Sequence, residues 1–75
     1  MDIKKYSADI FAERLKDLRA IKGLSQMGLA HATGLSQSAI AKWEMCKTEP
    51  TASSIVILAK FFGETTDYLL GLTND

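Results

Sequence analysis

Between Ala8 and Lys22 the apolar residues Phe11, Leu15, Leu18 and Ile21 recur at steps of four and three, the repeat of one buried helical face. Ser7 ahead of the run can cap its free amides, and Gly23 behind it accepts the left-handed backbone that ends a helix. The spacing predicts a first helix here. A second, Gln26 to Thr33, lies between the cap Ser25 and the stop Gly34, with Leu29, Ala30 and Thr33 available to one face. Two turns of helix do not hold alone in water, so this one must pack. Ser36 opens a third helix that runs to about Trp43 or Met45 and turns Ile40 and Trp43 inward.

Pro50 breaks the chain again, and Thr51 caps a fourth helix in which Ile55, Leu58, Ala59 and Phe62 repeat at three and four before Gly63. Thr65 caps a last short helix, Thr66 to Leu70, ended by Gly71. No run alternates with period two and no segment repeats, so strands and solenoids are excluded. The expected fold is all-α, a compact bundle of five short helices. A chain of 75 residues has one core at most, so residues 1–75 are expected to form a single domain with its core in 8–71.

Composition narrows the function classes. With 47% hydrophobic and 24% charged residues the chain is too apolar for disorder and too interrupted by charge for a membrane span. The single Cys46 excludes an internal disulfide, and no signal-peptide run follows Asp2, Lys4 and Lys5, so a reducing cytoplasm is the expected setting. Nine basic and nine acidic residues cancel, which removes any general attraction to nucleic acid. The charge has a direction, however: residues 1–19 carry +1, residues 20–48 carry +2 and residues 49–75 carry −3. Affinity for a polyanion would have to be local, in the middle of the chain.

That middle is also the most informative segment. From Gly23 to Glu44 it offers a small residue where two helices would cross (Ala30), a glycine at the corner (Gly34) and a branched anchor inside (Ile40). The outward positions of the third helix, Gln37, Ser38, Ala41 and Lys42, are small or polar, so this face can enter a major groove.

Here the sequence resembles the helix-turn-helix family of lambdoid phage repressors, Cro proteins and related bacterial regulators. The resemblance spans about Phe11 to Leu70: the "LR..KGLSQ" opening (Leu18, Arg19, Lys22 to Gln26), the "TGLSQSAIAKWE" corner with its recognition helix, and the "DYLLG" close. It implies a lambda-repressor-like domain with the helix-turn-helix at helices two and three. The implied function is sequence-specific binding of double-stranded DNA by a bacterial or phage-encoded transcriptional regulator, expected to repress, without enzymatic activity, cofactor, metal or small-molecule substrate. Gln26 would hold a phosphate at the start of helix two. Gln37 would read base edges, a glutamine amide being able to pair in bidentate fashion with adenine, with Ser36, Ser38, Ala41 and Lys42 beside it. Lys47 and Thr48 would touch the backbone again, and Arg19 with Glu44 would form the family's partly buried ion pair.

The resemblance further implies a homodimer on an inverted-repeat operator, with half-sites about 34–36 Å apart. Dimer contacts are expected from Thr51 to Ser53, Glu64 to Asp67 and Leu72, a surface small enough that dimerisation could wait for DNA. Two departures stand out. Met45-Cys46 replaces the usual Asn-Gly, removing a residue suited to positive φ, so another loop path is expected there. Gly28 stands where a capping-box glutamate is common, which weakens helix two by about 1 kcal/mol.

The remaining residues have plain readings. His31 has no partner at ligand spacing, so it reads as a helix-two surface residue rather than a metal ligand. Trp43, Phe11, Phe62 and Tyr68 fall at core spacing, Cys46 is unassigned, and Asn74-Asp75 looks like a loose end. Neither a carboxylate pair nor a nucleophile with its base appears, so the rival function is a protein-interaction module that keeps the fold without DNA contact. The neutral charge balance and the Met45-Cys46 loop slightly favour that rival, while Gln26, Gln37 and Lys42 in their expected places argue against it.

Overall fold

In the computed structural model, which describes residues 5–73, each helix starts on a hydroxyl. Ser7 precedes α1 (Ala8–Ile21), Ser25 α2 (Gln26–Thr33), Ser36 α3 (Gln37–Glu44), Thr51 α4 (Ala52–Phe62) and Thr65 α5 (Thr66–Leu70). In every case the side-chain oxygen accepts the backbone N–H three residues on, satisfying an amide that the helix leaves free. No strand occurs among the described residues. Asn74 and Asp75 lie outside them.

These helices are too short to persist singly, and their stability comes from one shared core. Phe11, Leu15, Leu29, Ile40, Leu58 and Leu69, drawn from all five helices, are completely buried. α1 packs on α3 and α5, α2 on α3 and α4, and α4 on α5. The Phe11 and Trp43 rings meet edge to face at 6.3 Å, which joins α1 to α3. Arg14 closes the far side: its guanidinium donates to the carbonyls of Tyr68 and Thr73 and lies 4.3 Å over the Tyr68 ring.

One expected core residue is outside the core. Ile21 is 81% exposed. Each step of three residues falls short of a turn by about 60°, so the run Leu15, Leu18, Ile21 drifts off the buried stripe. Lys22, which continues that stripe, holds its Nζ over the Phe61 ring, 5.2 Å from the centroid. Phe62 and Tyr68 are partly buried against the core, whereas Phe11 and Trp43 are buried in it.

The helix-turn-helix corner needs one left-handed residue, and Gly34 supplies it at φ 78°. Its N–H bonds to the Ala30 carbonyl, and Thr33 donates its hydroxyl to Leu29 O while accepting the Leu35 N–H. The loop after α3 corrects an expectation. Rather than taking another path, it keeps the left-handed turn, with Cys46 at φ 59°. Cys46 N–H donates to the Trp43 carbonyl and Lys47 N–H to the Lys42 carbonyl, the paired bonds of a Schellman ending. Gly28 also gains a local reason: a Cβ there would lie 3.3 Å from Leu24 Cδ2 and from Ser25 Oγ.

A side chain in the left-handed region costs about 1–2 kcal/mol, partly offset by the greater freedom of an unfolded glycine. Cys46→Gly is therefore expected to stabilise the fold by about 0.5–1 kcal/mol. Urea midpoints of the two proteins check this. A lower midpoint for the glycine variant would mean that the contacts of Sγ with Ala8 O and Asp9 Oδ1, at 3.5 and 3.4 Å, outweigh the strain.

Candidate nucleic-acid interface

The corner at Gly34 sets α2 and α3 so that their first residues come together, although Gln26 and Gln37 are eleven positions apart. Gln37 Nε2 donates to Gln26 Oε1 at 2.9 Å, and Gln26 Nε2 donates to Glu44 Oε1 at 3.0 Å. Glu44 lies seven residues after Gln37, two turns along the same side of α3. Its side chain is 5% exposed, and Arg19 grips it from α1: Nε to Oε2 and Nη2 to Oε1, both 2.9 Å. Arg19 Nη1 also donates to the Leu24 carbonyl at 2.8 Å. A bidentate geometry of this kind is the strong form of a charged hydrogen bond. The carboxylate bonded to Arg19 holds the guanidinium pKa above its ordinary value, against partial burial.

The arrangement thus links three helices through four side chains, from a buried ion pair to a half-buried glutamine pair at the surface. Ser36, at the cap of α3, accepts the Ala39 N–H and has its Oγ 3.5 Å from that of Ser38. Ser38 and Lys42 are exposed and Ala41 is half-buried, a small polar stretch followed one turn on by exposed Met45. Lys47 and Thr48 are exposed in the following loop. Among the described residues neither Lys42 nor Lys47 has an acidic partner within ion-pair distance.

The bonds from Gln26 to Glu44 and to Gln37 were not anticipated from the sequence. The spacing of seven between Gln37 and Glu44 was a usable signal, but the bridge through α2 depends on the angle of the corner. His31 is exposed on α2, and no cluster of metal-binding side chains occurs among the described residues. Cys46 is exposed; desolvation and the hydrogen-bonded Asp9 carboxylate push its thiol pKa up.

A sharp corner between two capped helices, a short polar face on the second and a buried ion pair behind it define a helix-turn-helix domain. Residues 15–69 match the helix-turn-helix family model, and the chain belongs to that family of DNA-binding regulators.

It is 38% identical over 61 residues to the SPbeta prophage-derived HTH-type transcriptional regulator YonR of Bacillus subtilis (strain 168), a match covering 81% of this chain and 56% of YonR. It is 37% identical to control protein C.SmaI of Serratia marcescens, with 100% of this chain and 88% of that protein covered. Its fold superposes on the restriction-modification controller protein C.AhdI from Aeromonas hydrophila with a TM-score of 0.74 at 32% identity, over 83% of this chain and 94% of that one. The chain spans about half the length of YonR.

Removing one partner of the buried pair leaves the other charge stranded. Arg19→Met is expected to cost about 3 kcal/mol of stability. The double variant Arg19→Met, Glu44→Met should recover part of that loss. A double-mutant cycle in urea measures both, and strict additivity of the two single losses would mean that the pair is not energetically coupled.

Proposed function

We propose that this chain regulates transcription by occupying an operator, α3 lying in the major groove, and that it represses. The Gln26–Gln37 pair carries the reading. Two glutamines at the first positions of two helices are bonded to each other, and the outer edge of Gln37 is left without an intramolecular partner among the described residues. Gln37 contacts base edges, and Ser36, Ser38, Ala41 and Lys42 complete the face that meets the groove. Gln26, using its free N–H and the amide end of α2, holds a phosphate, and Lys47 and Thr48 hold another.

The protein acts as a homodimer on an inverted repeat, assembling on DNA or before it. Its dimer surface would lie on the α4–α5 side. Thr51, Ala52 and Ser53 are exposed there, and a cavity of about 390 Å³ opens beside them between Tyr6, Pro50, Val56 and Leu70. Exposed Val56 and Ile57 add apolar area next to it. We read residues 1–75 as one domain working in the bacterial cytoplasm; no helix among the described residues is long and apolar enough to cross a membrane.

Selection of bound sequences from a random duplex pool tests the proposal, repeated with Gln37→Ala. An enriched inverted repeat is expected, with preference at one position per half-site relaxing about tenfold in the variant. Lys42→Ala should instead weaken all sequences alike and lower the salt slope by about one. No enrichment from a folded sample would sink operator binding and leave the protein-interaction module as the better reading.

A further inference from the structure

We infer that Glu44, besides holding Arg19, fixes which way the amides of Gln26 and Gln37 face, and so sets the order of donor and acceptor that Gln37 presents to a base. Glu44 is then a positioning residue for sequence recognition. The inference rests on Gln37 being the base-reading side chain.

A glutamine amide has two orientations of nearly equal shape, and they present hydrogen-bond donor and acceptor in opposite order. In the groove that order matters. Adenine offers N7 as an acceptor and its N6 amino group as a donor, so a bidentate glutamine must aim N–H at one and oxygen at the other. Something in the protein has to choose.

An ionised carboxylate can only accept. Glu44 Oε1 already receives Arg19 Nη2 at 2.9 Å, and the amide of Gln26 lies 3.0 Å away, so that amide must turn its NH₂ toward Glu44. Its oxygen is thereby turned toward Gln37, which must answer with its own NH₂, at 2.9 Å. Gln37 is left with its oxygen and one N–H unused, in a fixed order. Each flip along this relay would set donor against donor or oxygen against oxygen. The polarity originates at the acid and passes through α2 to the first residue of α3. An amide at position 44 would accept at one atom and donate at the other, and the choice would be lost.

Two readouts on Glu44→Gln test this. In the free protein, side-chain amide NMR of wild type should show the Gln37 NH₂ protected from exchange, and the variant should lose that protection. With selected duplexes, the variant should lose about tenfold of the adenine preference at the position that Gln37→Ala identifies. A folded Glu44→Gln protein that keeps both protection and preference overturns the inference. If that variant does not fold, the double variant Arg19→Met, Glu44→Met removes the acid without stranding its partner and leaves Gln26 and Gln37 in place: loss of the same preference supports the inference, and retention overturns it. If Gln37→Ala changes no base preference, the base-reading role of Gln37 fails on its own, and the NMR measurement alone decides whether Glu44 orients the amides.

Discussion

A carboxylate side chain only 5% exposed inside a domain this small is the constraint around which the helix-turn-helix is arranged. Desolvating Glu44 is unfavourable unless its lone pairs are met, and three donors meet them: two from Arg19 on α1 and one from Gln26 on α2. Because the acid sits on the last residue of α3, satisfying it ties the end of the recognition helix to both preceding helices. The apolar core alone would let α3 slide or roll, since burial is not directional. The ion pair is directional, and it fixes the depth and rotation at which Gln37 stands.

The core and the caps supply what the pair does not. α2 and α3 have eight residues each, and neither would persist outside the bundle. Leu29 and Ile40 bury one face of each, and Ser25 and Ser36 satisfy their first amides, so the helices keep register up to the ends that carry Gln26 and Gln37. Those ends have a second use. The unbonded N–H groups and the positive end of the helix dipole at Gln26 suit an anion such as a phosphate.

Much of this was legible in the sequence because it is local. A hydroxyl before each apolar run and a glycine after four of the five helices mark the boundaries, and they rest on chemistry within three or four residues. Where the reading failed, the cause lay elsewhere in the chain or in the sum of small angles. Ile21 obeys a step of three yet leaves the stripe because steps of three accumulate drift. Cys46 takes φ 59° against its own preference because the turn between α3 and Pro50 is held by the bonds of Cys46 and Lys47 to the end of α3. The relay through Gln26 needs the corner angle, which no pattern of residue types encodes.

For a neutral chain, the proposed contact with a polyanion raises a question of placement. Non-specific affinity grows with the number of phosphates neutralised, and a protein with nine bases and nine acids has little of it to spend. Here the bases nearest the candidate interface, Lys42 and Lys47, are exposed and have no ion-pair partner among the described residues, while residues 49–75 carry −3. Contact through α3 would bring the first group to the duplex, and the field of a neutral molecule would do little to hold it on random sequence. Such a protein depends on base contacts for a larger share of its affinity than a basic one does. The rigidity of Gln37 then bears on occupancy as well as on specificity, because each orientation frozen before binding is entropy that the complex need not lose.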